Sequence, residues 1–230
     1  MNRRVIIAAA AALLLATSAD AQSAAPTYVV TYLDFRLASI NAGATLIRAY
    51  VRASRADAGN VEVNGLEEIG RSNRFVIVET WRDPAAFAEH EKAAHTGEFR
   101  ENLKIIQRSP YDQRITHGFA VDPNPAAARP GAIYVVTHVD VPGAQREETE
   151  KVLKQLFQSS HASPGHVRYD IYQQEDPRTN HFTMFVMWKD RPAFEAYADT
   201  TQWLQFREAL APLLGALFDE RLYQPIRPWE

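Results

Sequence analysis

The stretch RFVIVETWRD, residues 74–83, sets the fold because it is an apolar strand that leads directly into a helix start. Phe75 and Ile77 point to one side of this strand, while Val76 and Val78 point to the other. A strand that is apolar on both faces must be covered on both faces. The helices of one small module can cover only one face, so the stretch predicts a second sheet against the other.

A related stretch, HFTMFVMWKD, occurs at residues 181–190. Further matches occur in the same order in both halves of the chain, separated by a nearly constant number of residues. They are YVVT at 28–31 and 134–137, NRF at 73–75 and NHF at 180–182, and FR at 99–100 and 206–207. Matches in one order across so much sequence indicate an internal repeat. The chain therefore contains two copies of one module.

Each copy has the pattern β-α-β-β-α-β, the ferredoxin-like arrangement. In the first copy we predict strands at 28–35, 61–69, 75–81 and 112–121, a helix at 40–58, and a helix at 83–107 that breaks near Gly97. The fold prediction is α+β: two ferredoxin-like βαββαβ modules in tandem, forming an intrachain pseudo-dimeric α+β barrel.

The chain begins with a basic start, an apolar run and an Ala-x-Ala cleavage site, which predict a signal peptide at residues 1–21. An uncleaved N-terminal anchor is the alternative. We expect an exported protein, periplasmic or secreted, without stable membrane association after cleavage.

A proline-rich segment separates the two copies, since three prolines and a glycine fall within residues 122–131. The predicted layout is a first module at 26–122, a linker at 123–131 and a diverged second module at 132–228.

Composition excludes several classes of function. The formal net charge of −3 gives no basic footprint for nucleic acid or anionic lipid. The sequence has no cysteine, which excludes disulfides, thiol nucleophiles and thiolate metal sites. It also has no Gly-x-Ser-x-Gly elbow and no phosphate-binding glycine loop.

The motif Trp81-Arg-Asp-Pro-x-x-Phe87-x-x-His90, followed by His95 and Phe99, resembles the antibiotic biosynthesis monooxygenase (ABM) domains. The resemblance covers residues 28–121 well and 134–226 less well. These domains include quinol monooxygenases and form dimeric α+β barrels. The resemblance implies oxidation of a small electron-rich aromatic by O₂, without metal, flavin or other cofactor. It leaves open whether the chain forms a homo-oligomer.

Such chemistry needs a base and an aromatic-lined pocket that excludes water. The resemblance implies His90 or His95 as the catalytic base. The implied substrate-binding residues are Tyr32, Trp81, Phe87 and Phe99. Three of these positions also have a structural interpretation: Trp81 as core filling, His90 as a buried structural histidine, and His95 as a solvent-facing residue at a helix end.

The second copy departs from this pattern: Tyr197 replaces His90, Gln202 replaces His95, and His138 stands where the first copy has Tyr32. We therefore place the site in the first copy. Heme degradation is disfavoured because no histidine occurs at 99–107 or 206–217, where such relatives carry their axial ligand.

A metal site built on His161 and His166, with His138 or His181, is chemically conceivable. The spacing crosses the turn at residues 163–165, and no carboxylate is clustered there in the sequence. We predict no metal.

The leading functional prediction is a cofactor-independent monooxygenase for a quinol-like or other electron-rich aromatic. The alternative is a non-enzymatic hydrophobic-ligand-binding or stress-associated barrel. A third reading is a purely structural tandem barrel with a filled core.

Overall fold

The computed structural model describes residues 25–123 and 130–226. The predicted signal peptide lies outside the described residues, as does most of the predicted linker. Within the described ranges, no helix has the length and apolar character needed to cross a bilayer.

Both modules have the predicted element order. The first contains β1 Thr27–Asp34, α1 Ile40–Ser54, β2 Asn60–Glu68, β3 Arg74–Trp81, α2 Pro84–Glu91, α3 Ala94–Ile106 and β4 Asp112–Ala120. The second contains β5 Ile133–Asp140, α4 Arg146–Ser160, β6 His166–Gln174, β7 His181–Trp188, α5 Arg191–Ala198, α6 Thr201–Leu210 and β8 Asp219–Pro225.

Two helix boundaries differ from the prediction. Helix α1 ends at Ser54 rather than near residue 58, and a turn follows. The break in the second helix lies at Lys92 and Ala93 rather than near Gly97, which is inside α3. Ala93 has an extended backbone (φ −63°, ψ 143°), and α3 restarts directly after it. Glycine is tolerated inside a helix at modest cost, so Gly97 was a weak stop signal.

The eight strands form one closed barrel in the order β1-β3-β2-β8-β5-β7-β6-β4. Each module contributes a four-stranded sheet, and the two sheets are joined along both edges. Strand β4 pairs with β6, and β2 pairs with β8. The predicted pseudo-dimeric barrel is confirmed, and closure leaves neither sheet with an unpaired edge.

The two faces of β3 have different partners. Val76 and Val78 pack inside the barrel with Phe185 and Met187 of the second module. Phe75 and Ile77 pack beneath α1 and α3, and Trp81 packs against Phe87 of α2. Because side chains alternate along a strand, β3 helps fill the barrel and also forms the floor beneath its own helices.

Tyr32 and His138 occupy equivalent positions in the two modules. Their rings meet inside the barrel with centroids 4.9 Å apart. Equivalent residues that contact each other lie on the axis relating the two copies. The pseudo-two-fold axis therefore passes between these two rings.

Candidate functional site

The candidate site of the first module lies between the outer face of β3 and the helices. Helix α2 begins at Asp83, whose Oδ1 accepts the backbone N–H of Ala86 at 2.7 Å, and Pro84 follows at the first turn. This start sets the helix so that His90 points inward, where its ring stacks on Trp81 at 4.3 Å. The His90 side chain is completely buried.

A hydrogen-bonded chain of four side chains runs through His90. Its Nδ1 is 2.7 Å from Oδ2 of Asp57, in the turn after α1. Its Nε2 is 2.7 Å from the hydroxyl of Tyr50, on α1. The same hydroxyl is 3.1 Å from Oε1 of Glu79, on β3. The chain therefore links a buried carboxyl group on the sheet to a partly exposed carboxylate at the surface.

Burial controls the charges along this chain. Burial raises the pKa of Glu79 to about 8, which keeps this carboxyl protonated at neutral pH. Burial also lowers the pKa of His90 and holds the pKa of Tyr50 well above its usual range. At neutral pH these directions favour a neutral Glu79 and a neutral His90.

The chain can hold its proton in two arrangements. When Tyr50 donates to His90, the neutral ring donates from Nδ1 to Asp57, and Glu79 carries the proton. When Tyr50 donates to Glu79, the ring donates from Nε2 to Tyr50 and is an imidazolium beside Asp57. The two arrangements differ only by the passage of one proton from Glu79 through Tyr50 to His90. The chain can therefore move a proton between Glu79 and His90 without a change in its net charge.

His95 forms the solvent side of the cluster. It lies in the first turn of α3, with its Nε2 3.2 Å from Oδ2 of Asp57 but without hydrogen-bond geometry. The side chains of His95 and Asp57 are 26% and 23% exposed, so the cluster reaches the surface here.

Three buried polar atoms of this cluster have no hydrogen-bond partner among the described residues: Nε2 of His95, Oε2 of Glu79 and Nε1 of Trp81. Unpaired buried polar groups are uncommon and often mark a functional site.

The structure brings together most of the residues that the sequence analysis selected. His90 and His95 lie together, with Trp81 and Phe87 packed on one side, and Phe99 stacked on Tyr50 at 4.1 Å. Tyr32 is not part of this cluster. Its side chain points into the barrel, whereas the cluster lies outside the barrel beneath the helices. The guanidinium of Arg114 lies 5.3 Å from the centroid of the Tyr32 ring.

The sequence analysis missed Tyr50, Asp57 and Glu79. One signal was available for Glu79, since a carboxylate stands in an otherwise apolar strand and its counterpart is Val186. The strand registers support this equivalence, because Glu79 pairs with Val29 and Val186 pairs with Val135. Tyr50 and Asp57 carry no comparable signal, because their relation to His90 depends on how α1 lies over the sheet.

The second module replaces the chain with other residues. In the positions of Tyr50, Asp57, Glu79, His90 and His95 it has Leu156, Ser163, Val186, Tyr197 and Gln202. Corresponding backbone contacts support the alignment: Asp57 and Ser163 donate their N–H groups to Ser54 and Ser160 in matching turns. Tyr197 instead bonds the hydroxyl of Ser160 at 2.9 Å.

Two groups in the described residues have the composition of a metal site: Asp57 with His90 and His95, and Asp122 with His161 and His166. In each, the three ligand atoms lie within 4.8 Å of one another. The second group corrects one premise of the sequence analysis, because folding supplies a carboxylate, Asp122, beside His161 and His166. His138 and His181 do not join it, since His138 contacts Arg114 and His181 pairs with Asp140.

Comparisons with known proteins agree with this architecture. The family model described as "Antibiotic biosynthesis monooxygenase" matches residues 26–102 and 132–209. The Bacillus subtilis (strain 168) protein named "Putative monooxygenase YcnE" is 35% identical over 65 residues, which cover 28% of this chain and 68% of that protein.

Solved structures described as putative monooxygenases or as anthrone oxidase-like share the fold. One from Fusobacterium nucleatum has a TM-score of 0.79 at 14% identity, covering 89% of this chain and 94% of its own. One from Lactobacillus acidophilus NCFM has a TM-score of 0.71 at 14% identity, covering 88% and 95%. An anthrone oxidase-like protein has a TM-score of 0.67 at 12% identity, covering 88% and 92%. With the family model matched once in each half, the chain belongs to the antibiotic biosynthesis monooxygenase family and carries two of its modules in tandem.

Proposed function

We propose that this protein is a cofactor-independent monooxygenase that uses O₂ to oxidise a quinol-like or other electron-rich aromatic molecule. Its site is the cluster of Tyr50, Asp57, Glu79, His90 and His95 in the first module. The observation that carries the proposal is the buried hydrogen-bonded chain from Glu79 to Asp57, which only the first module has among the described residues. Family membership supports the reaction class.

The reaction needs a base to remove a proton from the substrate, and the resulting anion makes a cofactor unnecessary. Removal of a proton from a phenol, or from a CH₂ group between aromatic rings, leaves an electron-rich anion that can reduce O₂ itself. For such a CH₂ group, one oxygen atom becomes the new carbonyl. The second oxygen atom leaves as water with the two hydrogens of that carbon. The substrate supplies all four electrons, so the reaction balances without an external reductant.

We assign contact with the substrate to His95, because its side chain is partly exposed, whereas that of His90 is completely buried. Asp57 lies against both histidines and stabilises positive charge on either ring. His90 is completely buried and holds Asp57 in place, so it is a positioning residue. Tyr50 and Glu79 extend this support and can receive or return a proton.

The aromatic side chains and the cellular location complete the proposal. Trp81, Phe87 and Phe99 provide apolar surface around the cluster, while Tyr32 lies in the barrel and is left out of the site. The signal-like residues 1–21 support action outside the cytoplasm.

Oxygen uptake by the mature chain, from Gln22 onward, tests the proposal with a panel of quinols and anthrones in the presence of a metal chelator. We expect uptake that resists the chelator and falls by about 10²-fold or more in His95→Ala, the usual contribution of an acid–base group. Gln202→Ala changes the equivalent position of the second module and is the matched control, with uptake expected to stay at the wild-type rate.

Other outcomes would replace the proposal with specific alternatives. Uptake that the chelator abolishes in the His161→Ala/His166→Ala protein would indicate a metal site at Asp57, His90 and His95, since two histidines and a carboxylate also bind iron in oxygenases. Uptake no faster than autoxidation with every substrate would favour the non-enzymatic ligand-binding barrel. Equal loss in His95→Ala and Gln202→Ala would contradict the assignment of the site to the first module.

A further inference from the structure

A second polar cluster lies where the two modules join, outside the site described above. Asp122 follows β4 of the first module, while His161 and His166 flank the turn between α4 and β6 of the second. Oδ1 of Asp122 is 2.5 Å from Nε2 of His161, and Oδ2 is 3.8 Å from Nε2 of His166. Three groups that are separate in the sequence thus converge at the β4–β6 seam.

The surroundings hold each group in the orientation of a ligand. Nδ1 of His161 lies 2.6 Å from the carbonyl oxygen of Phe157 and must donate its proton there. The opposite nitrogen, Nε2, therefore faces Asp122. A backbone carbonyl that fixes a histidine in this way is the usual outer partner of a metal-bound imidazole.

Asp122 is also fixed on both sides. Its carboxylate accepts the backbone N–H of Tyr169 at 2.7 Å, and its own N–H donates to the buried carboxylate of Asp170 at 2.9 Å. The carboxylate is thus already positioned between the two imidazoles.

A proton alone does not account for the whole cluster. A proton on Nε2 of His161 would give an ion pair with Asp122, yet Nε2 of His166 would still be buried without a hydrogen-bond partner in the described structure. A cation among the three atoms would satisfy both imidazoles and the carboxylate together.

We propose that Asp122, His161 and His166 bind a divalent metal ion such as Zn²⁺, which two imidazoles and one carboxylate hold in other proteins. His161 is 39% exposed, so the fourth position faces solvent and takes water. The metal links the end of the first module to the turn between α4 and β6 of the second. The chain has no cysteine, so a disulfide cannot cross-link the two modules. The metal ion would supply such a cross-link.

Cobalt binding tests the proposal, because tetrahedral Co²⁺ has visible absorption bands and replaces Zn²⁺ in such sites. The titration uses the His90→Ala/His95→Ala protein, so that the other histidine pair cannot contribute. We expect one equivalent of Co²⁺, displaced by Zn²⁺, and loss of that equivalent when His161→Ala and His166→Ala are added. His181→Ala, which breaks a separate histidine–aspartate pair, should keep it.

Thermal unfolding gives a second measurement that does not depend on the spectrum. Zn²⁺ at about 100 times its dissociation constant should raise the Tm of the same background protein by about 5 °C or more, and the added histidine changes should remove the increase. Absence of a Co²⁺ equivalent in the background protein would overturn the proposal. So would an equivalent that survives the added changes, with circular dichroism confirming that each variant folds.

Discussion

The two modules share one backbone arrangement, but they differ in what fills the space between sheet and helices. In the first module Tyr50, Glu79 and His90 place a polar chain there, whereas the second has Leu156, Val186 and Tyr197. The tryptophan at the end of the third strand is kept in both, stacked on His90 in one and packed on Tyr197 at 4.5 Å in the other. Shared apolar positions maintain the barrel, and the positions that differ carry the proposed chemistry.

The shared tryptophans should have the largest effect on stability. Trp81 and Trp188 are almost fully buried, so changing either to Ala should lower the free energy of unfolding by about 3–5 kcal/mol. Urea denaturation should show one transition in both variants, because the strands of both modules close a single barrel. Leu204→Ala, at an exposed position, is the control. Two separate transitions would show that the modules unfold independently.

A change at Asp57 should have the next largest effect, on the rate of substrate oxidation. This prediction depends on the proposed function. Asp57→Asn removes the charge beside His90 and His95, so the rate of substrate oxidation should fall by about 10²-fold. Ser163→Ala alters the equivalent turn of the second module and should leave the rate unchanged. Equal effects at Asp57 and Ser163 would contradict the functional difference between the modules.

Glu79 should make the first module sensitive to pH in a defined direction. Its pKa is about 8 in the folded protein, against an ordinary value of 4.5, so between these values the folded state binds more protons than the unfolded state. The contribution of this carboxyl is therefore most favourable below about pH 4.5 and is lost as the pH rises through about 8.

Glu79→Gln removes that titration. The Tm of the variant relative to wild type should increase from about pH 5 to about pH 9. Glu89→Gln, on the exposed side of α2, should show no such trend. A constant difference between Glu79→Gln and wild type across this range would show that Glu79 does not titrate there.

The smallest effect should come from the helix caps that the modules share. Asp83 accepts the N–H of Ala86 at 2.7 Å, and Asp190 accepts that of Ala193 at 2.9 Å. Changing either aspartate to Ala should lower the Tm slightly and by the same amount, since both carboxylates cap the first turn of equivalent helices. Thermal unfolding of the two variants compares them directly. A clearly larger loss for Asp83 would mean that α2 depends on its cap to position His90.

Sequence reasoning predicted most of the fold because the relevant signals are local and repeated. Alternating apolar residues in β3 and β7, together with matched segments, gave the modules, their order and the need for a facing sheet. The position of the helix break is the exception, because glycine is the stronger sequence signal for a break, whereas the extended backbone lies at Ala93 and Gly97 is inside α3.

The candidate site was predicted only in part. His90, His95, Trp81, Phe87 and Phe99 occur within one continuous segment, where helical spacing already relates them. Tyr32 was grouped with them, but the alternation of β1 turns its side chain into the barrel. Asp57 was missed because a carboxylate in a surface turn looks ordinary until the turn is placed beside α2.

Two α+β modules, their likeness and their divergence at His90 and His95 follow from residue type and spacing along the chain. Which distant groups meet depends on how the chain folds: Tyr50, Asp57 and Glu79 lie around His90, and Asp122 lies beside His161 and His166. Those contacts depend on helix placement and barrel closure. A shift of a few ångströms in a helix or strand is enough to break a hydrogen bond between two side chains. The order of residues along the chain does not specify positions that finely.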